Sequence, residues 1–245
     1  MEDSLALQRD YHSVLTRRVL ALLPDLAKTN PNSGGPLLAS WDQRLDADSA
    51  AAALWNVWFY RHLSPALGRS LNKDDEPPAG TLSTQTTLEL LSTQEGQATA
   101  ITSLRAAWTA TSDLLGGDTS KWQWGDLHQI VFKHPLLDRA NANLAEQMRI
   151  KPYPRGGSAN TTNNTGFGAD NFNVRSGASF RMVVDVGNWD AARMTNAPGQ
   201  SGDPRSPFYD NLLENWATED HVPMLFSREK VEESAVMTIK LTPSN

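Results

Sequence analysis

The sequence contains no cysteine, which excludes disulfides, thiolate nucleophiles and zinc sites built on cysteine. It also has no long apolar run. The clusters around 50–60 and 182–186 fall well short of the roughly 20 residues that a membrane-spanning helix needs. Met1 is followed by Glu2 and Asp3, whereas a signal peptide begins with a basic region and an apolar stretch. We expect no signal peptide and no membrane partner, and the compartment stays open.

An excess of positive charge is lacking as well. The 22 lysines and arginines are outnumbered by 28 acids, which gives a formal charge of -6. Nucleic-acid-binding proteins concentrate basic residues on one face. Here the basic residues are scattered along the chain, and the densest pair, Arg17-Arg18, is expected to lie at a solvated helix edge. We therefore predict no nucleic-acid partner.

Helical periodicity dominates the first half of the chain, while shorter strand-like runs appear in the second. Predicted helices cover 3–23, 48–63, 82–91, 98–115, 141–148 and 208–216, and predicted strands cover 129–132, 179–186, 191–196 and 236–241. Loops are expected at 72–80 and 152–170. The fold class is therefore α+β, with a mainly helical segment 1–120 and a mixed segment 121–245 that form one structural unit.

Conventional catalytic and metal motifs are incomplete. Gly199-Gln200-Ser201-Gly202 departs from the G-x-S-x-G nucleophile elbow because Asp203 stands in place of the second glycine. A serine hydrolase that uses Ser201, with His128 and Asp185 as partners, stays an alternative. A strand through His128 and His134 would hold the two rings roughly 20 Å apart, so no metal site is predicted.

Several short motifs follow one another in a fixed order: Gln8, Asp10 and Ser13, Trp124-Gly125-Asp126-Leu127-His128 with His134-Pro135, Gly156-Gly157, Ser179 to Asp185, Gly199 to Gly202, and Ser206-Pro207 with Tyr209-Asp210. Together they resemble the penicillin acylase family of N-terminal-nucleophile hydrolases, in particular the C-terminal part of its β chain. Phe208 stands where the family often has histidine, and Asn211 where it often has glutamine; these departures are mild.

The resemblance implies a slice of a four-layered αββα architecture and hydrolysis of a linear amide in a small acyl-amide substrate. It implies as partners an α chain and the N-terminal part of the β chain, which carries the nucleophilic serine and the oxyanion donors. The family's calcium site also draws on earlier segments, so no cofactor is expected in this chain. A periplasmic location is implied by the relatives.

No catalytic residue is carried over to this sequence. An N-terminal nucleophile needs its own free α-amine as the base, and the family exposes that amine by cutting itself after a glycine. Gly80-Thr81 and Gly157-Ser158 have a suitable dipeptide, but turn and cap roles explain them better. We expect the isolated chain to be inactive.

Arg181 is the one residue proposed to face the active site, since some relatives place a charged side chain in the corresponding strand. Strand alternation puts Arg181, Val183 and Asp185 on one face. The simpler interpretation is that Arg181 pairs with Asp185 at a sheet edge.

One further expectation concerns function. A stand-alone interaction or assembly module is the alternative to an enzyme segment. The acyl group, whether a penicillin side chain, an acyl-homoserine lactone or another, cannot be inferred from these residues.

Gly202 is expected to hold a backbone shape that other residues resist, so Gly202→Val should destabilise the fold.

Overall fold

The computed structural model describes residues 1–71, 81–168 and 170–243, so the predicted loop at 72–80 lies outside the described residues. The helices are α1 (Glu2–Gln8), α2 (Val14–Ala21), α3 (Gly35–Ala39), α4 (Ala50–Trp58), α5 (Ser64–Leu71), α6 (Thr84–Leu91), α7 (Gln94–Leu115), α8 (Trp124–Leu127), α9 (Ala142–Gln147), α10 (Leu213–Ala217) and α11 (Arg228–Ser234). The strands are β1 (Gln129–Ile130), β2 (Tyr153–Pro154), β3 (Thr165–Phe167), β4 (Val174–Gly177), β5 (Arg181–Val183), β6 (Arg193–Thr195) and β7 (Val222–Pro223).

The chain forms two compact units. The larger is Arg9–Ala178, and the smaller combines Met1–Gln8 with Ser179–Asn245. The division that the sequence suggested after residue 120 therefore falls inside the larger unit. The larger unit has a sheet of order β2-β1-β4-β3, in which β1 and β4 are parallel. The smaller unit has an antiparallel sheet of order β5-β6-β7.

The helix predicted over 3–23 is wrong, because two helices, α1 and α2, occupy this stretch. Ser13 begins α2, where its hydroxyl accepts a hydrogen bond from Thr16 N at 3.1 Å. Just before it, the Asp10 carboxylate accepts one from His12 N at 2.9 Å. Short polar side chains compete with helical backbone bonds in this way. Consequently Gln8, Asp10 and Ser13 do not share one helix face.

The second predicted helix is confirmed and runs further than expected. Ser49 caps it by accepting from Ala52 N, and α4 continues through a π-helical segment, Phe59–Leu63, into α5. Pro65 has no N–H to donate to the carbonyl four residues earlier, and Ser64 N instead donates to Phe59 O, five residues back. The missing donor therefore accounts for the widened turn.

The aromatic residues of α4 and the π-helical segment belong to the core of the larger unit, as predicted. Trp55 and Trp58 meet edge to face with ring centres 5.8 Å apart, and Phe59 stacks on Trp55 at 5.1 Å. All three are almost fully buried. Burial of such rings supplies much of the driving force for folding.

Other helix boundaries followed from local signals, whereas strands did not. α7 ends at Gly116, whose φ of +89° suits a glycine, and Asn141 caps α9. The observed strands are shorter than predicted. β2 and β3 lie in the stretch 152–170 that was predicted to be a loop, and β4, β7, α3, α8 and α11 were also missed. Residues 235–243 are described, but they form neither helix nor strand, so the strand predicted over 236–241 is wrong. None of the described helices combines the length and hydropathy that membrane crossing requires.

Candidate functional site

Arg181 lies at the start of β5, with its side chain in the interior of the smaller unit. The residue is only 7% exposed. Its Nη2 donates to the Trp216 carbonyl at 2.9 Å, and Nη1 lies 3.5 Å from the Gln8 carbonyl. These carbonyls belong to the last turns of α10 and α1. The final four carbonyls of a helix lack intrahelical donors and carry partial negative charge. Arg181 therefore joins a strand to two helix C-termini.

The expected pairing of Arg181 with Asp185 is wrong. Asp185 lies beyond the end of β5, and its carboxylate accepts from Gly187 N at 2.9 Å. No ion pair joins Asp185 to Arg181 within the described residues 170–243. The strand is too short to place both residues on one regular face, so alternation did not apply as far as Asp185.

Ser201 lies in a turn, where its hydroxyl serves as a hydrogen-bond acceptor. Its hydroxyl accepts from Asp203 N at 3.1 Å, and its backbone N donates to Phe208 O at 3.0 Å. Asp203 is paired with Arg205 at 2.8 Å, and this arginine lowers the pKa of Asp203 to about 2. No imidazole is hydrogen-bonded to the Ser201 hydroxyl in the described part of the chain. The geometry gives no support to a nucleophilic Ser201.

The structural glycine of this loop is Gly199 and not Gly202. A Cβ at Gly199 would lie 2.3 Å from Phe208 O and 2.5 Å from Tyr209 O, whereas one at Gly202 would meet nothing within 4 Å. Gly202 also has no positive φ. The expectation for Gly202 is therefore wrong. Gly199 is the constrained glycine, because carbonyl groups of residues further along the chain approach its Cα.

We expect Gly199→Ala to lower the free energy of unfolding by about 2 kcal/mol, since an added methyl group forces backbone shifts in a packed site. Gly202→Ala is the matched control and should change it by less than about 0.5 kcal/mol. Urea unfolding of the full chain measures both. Equal effects of the two substitutions would contradict this assignment.

In the larger unit, the residues of the family motifs form a buried hydrogen-bonded cluster. Arg155 N donates to His128 O at 2.8 Å, and Gly157 N donates to Leu45 O at 2.7 Å. The Trp124 indole donates to Gly157 O at 3.0 Å. Gly157 has a φ of +85°, which favours glycine. The cluster orders the loop between β2 and β3.

His128 is enclosed by aromatic rings of its own unit. Its ring stacks on Trp124 with centres 4.6 Å apart, and Phe167 meets it at 5.2 Å. Nδ1 donates to Phe172 O at 2.7 Å, whereas Nε2 has no partner among the described residues. Burial lowers the pKa of His128 to about 4. An enclosed imidazole with so low a pKa is a weak base that a substrate cannot reach, so His128 is not placed to act as a catalytic base.

The two dipeptides that suit self-cleavage have ordinary structural surroundings. Ser158 is buried, and its hydroxyl accepts from Asn160 N at 3.1 Å in a turn. Thr81 is exposed, and Gly80 lies outside the described residues. In the part of the chain that the structure describes, neither Ser158 nor Thr81 is hydrogen-bonded to an imidazole or a carboxylate.

A calcium site was expected to lie in other segments. In the described ranges, no group of three or more His, Asp or Glu side chains is placed to hold a metal ion.

The family of the chain follows from comparison with known sequences. The profile of the penicillin amidase family matches residues 1–233. An acyl-homoserine lactone acylase of Pseudomonas syringae pv. tomato is 26% identical over 262 aligned positions, which cover 93% of this chain and 30% of the relative. The penicillin acylase 2 proenzyme of a Pseudomonas species is 30% identical over 239 positions, which cover 84% and 28%. The chain thus spans about 30% of the length of these relatives.

A solved structure shows the same fold. Thermostable penicillin G acylase from Alcaligenes faecalis aligns with 96% of this chain and 48% of its own, with a TM-score of 0.50 and 17% identity. At this identity the likeness speaks for the fold alone, and it confirms an α+β slice of the N-terminal-nucleophile hydrolase architecture. Because the family profile covers nearly the whole sequence, the chain belongs to the penicillin amidase family.

Proposed function

We propose that this chain is the C-terminal segment of an amidase that hydrolyses a linear carbon–nitrogen bond in a small acyl-amide substrate. The nucleophilic serine and the oxyanion donors lie in polypeptide outside this chain. The role of the chain is to complete the fold around that site, and it is inactive by itself.

The match to the penicillin amidase family over residues 1–233 carries this proposal. Two relatives are named as acylases, and the chain corresponds to about 30% of their length. The hydroxyls of Ser158 and Ser201 are engaged in turns. Without an activated nucleophile and oxyanion donors, each commonly worth about 10² to 10³ in rate, no turnover is expected.

The test is reconstitution. The purified chain should hydrolyse none of a panel of acyl-amides that includes penicillin G and N-acyl-homoserine lactones. The reading frame upstream of Met1 should encode a Gly-Ser junction, and co-expression of that polypeptide with the chain should give turnover that neither gives alone. Ser201→Ala should leave the reconstituted rate unchanged.

Two results would contradict this proposal. Turnover by the pure chain that Ser201→Ala abolishes would favour a conventional serine hydrolase. An upstream frame without any such junction, together with a chain that is a compact monomer, would favour a stand-alone interaction module. We further propose a periplasmic enzyme whose calcium ion is held by segments outside this chain.

Exposed apolar side chains of the smaller unit agree with a missing partner. Met182, Met194 and Val222 are aligned across β5, β6 and β7 on one sheet face, and Met182 is half exposed. In the irregular segment after α11, Val236 is 100% exposed and Leu241 90%. Apolar surface left open in this way promotes association.

We expect the isolated full chain to self-associate in light scattering at concentrations where a compact monomer would stay monomeric. The double substitution Ile239→Lys with Leu241→Lys should reduce the mean mass, because it removes apolar area and adds repulsion. Thr238→Lys with Thr242→Lys adds the same charges without removing apolar area, and it should reduce the mass less. A monomeric wild-type chain that binds no dye for exposed apolar surface would refute this expectation.

A further inference from the structure

A groove of about 470 Å³ runs between two walls of the larger unit. One wall is formed by the π-helical segment and α5, and the other by one face of α7. On the α7 wall, Glu95 stands at one end, and the other side chains are small, with Ala98, Thr99 and Thr102 at the three- and four-residue spacing of a helix face. Small residues on that wall leave room for a ligand, and the volume lies in the range of small-molecule sites.

The opposite wall is basic. Arg61 is held in place, since its Nη2 donates to Asp170 O at 2.9 Å and its guanidinium lies 4.2 Å above the Phe172 ring. Arg69, two helical turns further on, has no hydrogen-bond or ion-pair partner within the described residues. Glu95 is the acid that lines the groove. The groove therefore has a local excess of positive charge in a chain whose formal charge is -6.

Neutral polar groups complete the lining. Burial and the neighbouring Arg61 lower the pKa of His62, so that its ring is uncharged at neutral pH. The hydroxyls of Thr99 and Thr102 make no hydrogen bond within the described part of the chain. The π-helical turn itself is a feature that is frequent at functional sites.

We propose that this groove binds a small organic carboxylate. Arg69 pairs with the carboxylate, the threonine hydroxyls and His62 donate to it, and the methyl groups of Ala66, Ala98 and Ala106 contact its apolar body. Two arginines and one glutamate line the groove, so its lining favours an anion. Arginine suits this role because its planar donor fork fits a carboxylate.

Saturation-transfer NMR with the full chain tests the site, because the method works well with large, slowly tumbling assemblies. Benzoate is the probe, and benzamide is its uncharged isostere. We expect benzoate to bind and benzamide not to bind. Arg69→Gln should weaken benzoate binding at least tenfold, about the value of one hydrogen bond to a charged group.

Two further variants guard the interpretation. Ala98→Leu fills the groove without removing a charge and should also abolish binding, whereas Arg17→Gln removes an exposed arginine of α2 and should change nothing. Each of four results would overturn the proposal. Benzamide could bind as well as benzoate, or Arg69→Gln could leave the affinity for benzoate unchanged. Benzoate could fail to bind, or inorganic phosphate could bind more tightly than benzoate.

Discussion

Replacing Arg181 by methionine should lower the free energy of unfolding by about 3 kcal/mol. Methionine keeps much of the buried alkyl length but removes the donors that reach the Trp216 and Gln8 carbonyls. A hydrogen bond from a charged group contributes about 1.5 to 3 kcal/mol to the free energy of unfolding, and the loss is larger when its acceptor is left buried without a donor. Urea unfolding followed by tryptophan fluorescence measures the change.

Arg181→Lys is the matched control for this prediction. Lysine keeps the positive charge near both helix C-termini but cannot reach two carbonyls with a planar fork. It should therefore recover part of the stability. A methionine variant as stable as the wild type would show that these contacts contribute nothing, and it would leave Arg181 open to another role in an assembled enzyme.

Acidification from pH 7 to pH 4 should remove about 3 kcal/mol of stability through His128 alone. The ordinary pKa of 6.5 applies to the unfolded chain, whereas burial lowers the pKa in the folded state to about 4. Between these two values the unfolded state binds the proton and the folded state does not. Stability therefore falls as the pH drops from about 6.5 to about 4, and it does not depend on this group above that window.

The stacked position of His128 explains why protonation is resisted. A second proton would go to Nε2, which has no acceptor among the described residues and lies against Trp124 and Phe167. The positive charge of Arg155 adds a smaller penalty. His128→Asn keeps a donor near the position of Nδ1 and does not titrate in this range.

Urea unfolding at pH 7 and pH 4 compares His128→Asn with the wild type and with His134→Asn, which alters a histidine that is only partly buried. On acidification, the free energy of unfolding of His128→Asn should fall by about 3 kcal/mol less than that of the wild type. The His134 variant should behave as the wild type. If all three proteins lost the same stability, the buried histidine would not be the source.

Local signals in the sequence were sufficient for the features that depend on residues within one helical turn. Ser49 and Asn141 begin helices because a side-chain oxygen reaches an N–H two or three residues later. Gly116 ends α7 because it tolerates a positive φ. The apolar stretch around Trp55 and Trp58 was predicted to be buried because it has no polar face.

Features that depend on distant residues could not be predicted in the same way. Gly199 is constrained by carbonyls nine and ten residues later, and the periodicity around it does not differ from that around Gly202. The partners of Arg181 come from Gln8 and Trp216, at opposite ends of the chain. A stretch of three strand residues also gives too little alternation to fix which side chain is buried.

The sequence by itself determined the family, the α+β class, most of the helices and the aromatic core of the larger unit, since motif order, capping and apolar periodicity are all written in neighbouring residues. Only the tertiary structure decided that α1 belongs with the residues after Ser179, which glycine is indispensable, what Arg181 contacts, and that Arg61 and Arg69 face the small residues of α7. These depend on which surfaces pack together, because burial and backbone approach are set by side chains far apart in the chain.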